Sequence, residues 1–432
     1  MIDRAAKSPG SWSRRGALLG GTAGASMLML AWARQAHGAE ARVGGPVHIF
    51  GAPRRLPDVD HQVIYRKEDE FVSHPYVMGF WNMGDGELLQ FANASKTSYS
   101  SVETIAHDQL GREGGSKMVA LRSKDWGRTW DGARPGVNLT ANIDKRMADA
   151  RTMGDLQPVD YLNPDVLVSN SSSGGFGRAG SKPLYRVSKD RGHSWSPAII
   201  GPTDSLVGPA GMNSVLVRND GTVLTFQMDV NEEGRDRHPC VFALPPGFVD
   251  FHFVTFITQK VDPYGNADGD YSAVGSKQLF AGHRWFYPRG YMLPDGRILC
   301  SIRCQRDPFG DMWTEVYISE DHGRTWEFLS RVNDFGAPGS LVVKRDGRLV
   351  MVYGYRLMPS GIRAKVSEDG GRTWGTELII RDDGGSPDVG YPNAWELDDG
   401  RIGTIYYFNS KDDPVQVNGG VRHIQRSIFS ID

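Results

Sequence analysis

Hydrophobic and polar positions alternate in short bursts along this chain, and no stretch repeats at helical spacing. Five bursts begin on an Asp-Gly pair: GDGELLQFAN at residues 84–93, NDGTVLTFQM at 219–228, PDGRILCSIR at 294–303, RDGRLVMVYG at 345–354 and DDGRIGTIYY at 398–407. Asp-Gly supplies the positive φ of a tight hairpin, and the alternation that follows fits a strand with one face on a core. NPDVLV at 163–168 lacks the pair but reads the same way, and it fills the gap between the first two bursts.

An eight-residue motif lies between these hairpins. It reads SKDWGRTW at 123–130, SKDRGHSW at 188–195, SEDHGRTW at 319–326 and SEDGGRTW at 367–374. A hydroxyl, a carboxylate, a basic side chain and an indole so close together suggest a catalytic centre, but fourfold recurrence argues for turn chemistry. Ser and Asp can bond turn amides, Gly takes a positive φ, and Trp packs between strands. Each unit then runs strand, Asp-Gly turn, strand, strand, motif turn, strand. Six units start near residues 73, 150, 205, 283, 336 and 387, the third and sixth without the motif. The step from Asp190 to Asp321 is twice that from Asp125 to Asp190, as one unmarked unit requires. Six such units predict an all-β, six-bladed β-propeller, one domain over residues 41–432. Residues 47–66 are expected to add a strand that completes the last blade.

The composition agrees: 53 Gly, 24 Pro, 11 Trp and 15 Tyr in 432 residues suit short strands and many turns. A formal charge of −2 argues against nucleic acid or an anionic membrane as partner. Residues 1–40 read as a twin-arginine export signal: SRRGALL at 13–19, a weakly apolar run over 16–33, and AHGA at 36–39. The run is too dilute for a membrane anchor, which wants about 20 strongly apolar residues. Export to the periplasm or medium is therefore expected, with no membrane contact after cleavage and a monomeric mature chain. Cys240, Cys300 and Cys304 are too few for a disulfide framework and read as small buried hydrophobes. The 11 histidines show no paired metal spacing and no phosphate loop follows a strand, so no metal and no cofactor are expected.

The eight-residue motif on this frame resembles the Asp box of the sialidase superfamily, across nearly the whole mature length. The resemblance implies a carboxylate held by three arginines, a tyrosine nucleophile helped by a glutamate, and an aspartate as general acid. Counted from the Asp-Gly turns, Tyr391 in DVGYPNAWELDDGRIGTIYY matches the nucleophile segment. Arg303 matches the second arginine and Arg356, in VYGYR, the third. The departures are equally specific. The segment for the first arginine reads FVSHPYV (71–77), offering His74 and Tyr76 instead, and the glutamate position holds Tyr287. HRWFYPRGY (283–291) adds His283, Arg284 and Arg289, and the acidic loop offers Asp108, with Glu103 next. A sialidase-like exo-glycosidase acting on a terminal acidic sugar, sialic acid or a uronate, is the expected function. Its catalytic candidates are Tyr391, Asp108, Tyr287 and His74; its binding candidates are Arg303, Arg356, Arg289 and Tyr76. Two alternatives stay open: a polysaccharide lyase using His74 or Tyr287 as base on uronates, and a non-catalytic glycan-binding propeller.

Overall fold

A computed structural model of the chain describes residues 51–105, 115–132, 134–135, 151–152, 157–174, 177–230, 237–258, 284–306 and 311–432. The expected export signal, Asp108 and His283 lie outside the described residues. Among those described, the strands form six sheets in chain order, the blades of a propeller. Blade 1 pairs Glu70–Ser73 and Phe80–Asn82 with Leu88–Lys96, then Ser116–Ser123 and Arg134–Pro135. Blade 2 comprises Leu167–Ser172, Pro183–Ser188 and Ile199–Ile200, with Arg151–Thr152 added in parallel. Blades 3 and 4 are antiparallel meanders, starting on Ala210–Val217 and Arg284–Met292. Blade 5 runs from Gly339–Val343 to Leu378–Arg381 and gains Arg54–Arg55 in parallel. In blade 6, Gly390–Glu396, Ile402–Phe408 and His423–Phe429 pair in turn, and Asp60–Tyr65 adds antiparallel to the last. The expected closing strand is therefore present within residues 47–66. It ties the two ends of the described chain into one sheet, so neither end of the ring is left as an open edge.

The eight-residue motifs are consumed by their own turns. Ser123 Oγ accepts from the Gly127 amide at 2.8 Å, and Asp125 accepts from the Thr129 amide at 2.9 Å and its hydroxyl at 2.6 Å. The same bonds recur about Asp190, Asp321 and Asp369. The arginines of the motif region tie blades together: Arg128 reaches Asp398 and Asp399 of blade 6, and Arg191 reaches Asp85, Glu87 and Asp165. The indoles fill the seams, as Trp195 does against Trp81 with ring centroids 5.1 Å apart. Cys240, Cys300 and Cys304 are free and buried in the sheets.

The axis of the ring is filled by one helical turn, Pro75–Met78, with proline at its start where the missing N–H costs nothing. Gln90 and Asn393 donate to the Pro75 carbonyl at 2.9 and 3.0 Å, and Asn213 donates to that of Val77 at 2.9 Å. Tyr76 is 2% exposed and points its hydroxyl at the carbonyls of Tyr287 and Gly339. Arg289 lies over the Tyr76 ring, its guanidinium carbon 3.6 Å from the centroid, and donates to Asn393 Oδ1 and to the Tyr76 carbonyl. Both residues were expected to bind substrate. The structure places them in the plug, because the chain coils at Pro75 and turns Tyr76 into the channel.

Candidate active site

Above the plug lies a pocket of about 470 Å³, lined by His74, Asn93, Ser116, Arg303, Arg356, Tyr391 and Tyr407. Four of these, His74, Arg303, Arg356 and Tyr391, are among the sequence candidates. Tyr287 stands directly behind Tyr391. Asp108 lies outside the described residues, and the side chain of Glu103 is likewise not described.

The inner strands deliver the two tyrosines by the same device. Blades 3, 4 and 6 each have a register shift where the inner strand meets the second, and a residue of positive φ sits within it: Asn213 (52°), Tyr287 (57°) and Tyr391 (51°). His74, ahead of the plug, also has positive φ (57°). Such a bulge re-aims a side chain, and non-glycine residues hold this conformation only where their surroundings over-determine it. The result is a hydrogen-bonded pair: the Tyr287 and Tyr391 hydroxyl oxygens are 3.0 Å apart, and both rings are buried.

Two guanidiniums converge on that pair. Arg303 Nη1 donates to Tyr391 Oη at 3.0 Å, while its Nη2 donates to Gln305. Arg356 has its guanidinium carbon 5.3 Å from the Tyr391 ring centroid and donates to Tyr407 Oη at 3.2 Å. The buried Nε atoms of Arg303 and Arg356 have no hydrogen-bond partner among the described residues. No carboxylate lines the described wall. Asp388 stands one layer back, accepting from Tyr407 Oη at 2.5 Å and pairing with the fully buried Arg422 at 3.3 Å.

These charges split the tyrosines. Burial alone would push Tyr391 up, but Arg303, Arg356 and the hydrogen bonds from Tyr287 and Arg303 outweigh it and hold its phenol below the ordinary value. Tyr287 goes the other way, raised by burial and by the neighbouring Tyr391. Tyr407 is raised by burial and by Asp388. The first phenol of the cluster to ionise is therefore Tyr391. His74 stands edge-on to it, ring centroids 5.0 Å apart, with Nδ1 2.7 Å from Ser73 Oγ.

Asn93, Ser116 and Tyr407 were missed by the sequence reading, although the Asp-Gly turns carry a signal for two of them. Asn93, Arg303 and Tyr407 each lie eight residues after the aspartate of their turn, Asp85, Asp295 and Asp399. Tyr287 and Tyr391 each lie eight residues before one. Both registers meet the axis.

No protein-family model and no curated protein matches the chain in sequence. Solved structures do match in shape. A protein of unknown function from Dyadobacter fermentans aligns at TM-score 0.61 and 20% identity, over 87% of this chain and all of its own. The sialidase of Trypanosoma rangeli aligns at 0.52 and 12%, over 87% of this chain and 60% of its own length. An α-L-arabinanase of Penicillium chrysogenum aligns at 0.50 and 12%, over 87% of this chain and 99% of its own. The chain thus has the sialidase-like six-bladed propeller fold, which it shares with sialidases and an arabinanase alike.

Proposed function

We propose that the protein is a glycoside hydrolase that removes a terminal acidic sugar from a glycan. The observation that carries this reading is the meeting of Arg303, Arg356 and Tyr391 in one pocket. Two guanidiniums in a pocket whose described wall carries no carboxylate suit a planar carboxylate, which arginine binds through charge-assisted hydrogen bonds. A neutral sugar gives those charges no partner. The volume of about 470 Å³ is that of a small-molecule site.

In this reading Tyr391 Oη gives up its proton and forms a bond to the anomeric carbon as the bond to the departing oxygen breaks, and that oxygen takes up a proton. A tyrosine nucleophile is the sialidase exception among glycosidases, and Arg303 and Arg356 beside Tyr391 offset the charge it shares with the substrate carboxylate. Water then displaces Tyr391 from the sugar and returns a proton to the group that gave one up. His74 is the described wall residue suited to that exchange, and Asp108, outside the described residues, is the carboxylate the sequence offers for it.

A second reading rests on one specific contact, the edge-on packing of His74 against Tyr391. A histidine and a tyrosine beside bound arginines could also take a proton from the carbon next to a uronate carboxylate and eliminate the leaving oxygen. A panel of sialosides, uronate-containing glycans and arabinan separates the readings. Hydrolysis predicts new reducing ends from an acidic glycan without ultraviolet absorbance, and Tyr391→Phe should lose at least about a thousandfold in kcat/KM. An ultraviolet-absorbing product would install the lyase instead. Release from arabinan at equal rate, or full activity in Tyr391→Phe, would overturn the proposal. Glycan binding without turnover would favour a binding propeller.

A further inference from the structure

We propose that Tyr391 is held as a resident phenolate by two converging hydrogen-bond donors, Arg303 Nη1 and the Tyr287 hydroxyl, so that Tyr287 acts as a positioning residue that donates to it. The inference rests on the reading of Tyr391 as nucleophile, but it concerns the resting protein and can be tested without a substrate.

The geometry carries it. A nucleophilic phenol is ordinarily activated by an adjacent base that takes its proton. Here, among the described residues, both groups within hydrogen-bond distance of Tyr391 Oη, at 3.0 Å each, can donate to it. Guanidinium can only donate. The hydroxyl–hydroxyl bond to Tyr287 can run either way, and the charges decide its direction. Arg303 bonds Tyr391 directly and Arg356 lies over its ring, so negative charge is favoured on Tyr391 and the proton between the two stays with Tyr287. The opposite shifts of the two phenols agree. Among the described residues, the groups facing Tyr391 from the packed elements are Arg303, Arg356, Tyr287, Tyr407 and His74, with Asp388 behind Tyr407. Asp388, the carboxylate of the set, is engaged by Tyr407 and Arg422.

Chemically, Tyr391 would release its proton to solvent before substrate arrives, leaving an oxygen with a full lone pair for the anomeric carbon. Both tyrosines hold positive φ at matched bulges, with ring centroids 5.5 Å apart. The bulges aim both rings so that the two hydroxyls meet in a buried site.

Tyrosinate absorbs in the near ultraviolet where tyrosine does not, so a pH titration of the purified full chain reads the state directly. The wild type should show one tyrosine already ionised at neutral pH, absent from Tyr391→Phe. In Tyr287→Phe, which keeps the ring, that ionisation should move up by about one to two pH units, the effect of losing one hydrogen bond to a charged group. Arg303→Lys should restore part of the shift that Arg303→Met produces. Near-ultraviolet circular dichroism would confirm that each variant keeps its fold. Identical early titration in wild type and Tyr391→Phe, or an unmoved midpoint in folded Tyr287→Phe, would overturn the proposal. An early tyrosine with no glycan cleaved would sink the hydrolase reading alone; glycan cleavage without one would sink this inference alone.

Discussion

Replacing Gly127 by alanine tests whether the eight-residue motif is scaffold. Gly127 has φ of 81°, and a Cβ built there would lie 2.2 Å from Cζ2 and 2.9 Å from Cε2 of Trp395. That indole cannot withdraw cheaply. It is 2% exposed, donates to the Trp126 carbonyl at 2.8 Å, stacks on Phe80 at 5.5 Å, and leaves no room for a side chain at Gly403. Two costs therefore add: about 1–2 kcal/mol for a non-glycine residue at positive φ, and about 1–3 kcal/mol for overpacking. Gly347 isolates the first, since its φ is 91° and nothing lies within 4 Å of a Cβ there. Gly127→Ala should lose about 2–5 kcal/mol and Gly347→Ala about 1–2 kcal/mol, less the small gain each makes by stiffening the unfolded chain. Urea unfolding followed by tryptophan fluorescence, compared at equal slope, measures the difference. Equal midpoints would refute the packing argument. Lost activity at unchanged stability would put the motif back into the chemistry.

Asp388→Asn should cost about 1–3 kcal/mol in a thermal melt, because the fully buried Arg422 keeps its bonds to Asn418, Gly420 and Ser386 but loses its charged partner. Its KM for an acidic glycan should also rise more than kcat falls, since Asp388 fixes the Tyr407 hydroxyl that receives Arg356. Lys365 is 2% exposed, and burial lowers its ammonium to about 8 despite Glu377 and Asp334. Its folded value lies below the ordinary 10.5, so the unfolded chain holds the proton more tightly and stability gains from this group as pH rises from about 8 to 10.5. Lys365→Met should be more stable than the parent at pH 7 by about 1–3 kcal/mol, and denaturation at pH 7 and 10.5 should show that margin shrinking.

The frame was legible because its turns restrict residue type. Gly127, Gly192, Gly323 and Gly371 all have positive φ, and the aspartates of their motifs cap turn amides, so the same letters recur wherever the backbone does. Tyr391 and Arg303 could be picked out because an Asp-Gly turn numbers the strands beside it. The same numbering would have found Asn93 and Tyr407, which read instead as ordinary ends of alternating strands. Tyr76 and Arg289 misled for a different reason: proximity in sequence to His74 and Tyr287 says nothing about which side of the axis a residue occupies. Only the coil at Pro75, which breaks the first inner strand into Glu70–Ser73 and Phe80–Asn82, turns Tyr76 down and brings Arg289 across it. Its signal was a single proline. Asp388 and Arg422 carry no signal, since a carboxylate in a turn and an arginine on a strand are ordinarily solvated.

The register eight residues past each Asp-Gly aspartate also explains why Arg356 sits where it does. That register holds Asn93, Met228, Arg303 and Tyr407 in blades 1, 3, 4 and 6, but Gly354 in blade 5. A Cβ at Gly354 would lie 3.0 Å from the Gly390 Cα and 3.1 Å from the Val389 carbonyl oxygen. Here one blade's backbone rests on the next, directly ahead of Tyr391. With no side chain at the register, the blade supplies its charge two residues later, from Arg356. Gly354→Ala would push the Gly390 segment outward by a few tenths of an ångström, a shift the sheet can absorb for about 1 kcal/mol. Tyr391 cannot absorb it as easily, because its hydroxyl is held between Arg303 and Tyr287 and misplacement of about 1 Å costs catalysis about a hundredfold. The variant should therefore lose about tenfold in kcat while its unfolding midpoint barely moves. Unchanged turnover in Gly354→Ala would mean that Tyr391 is not positioned by this backbone contact.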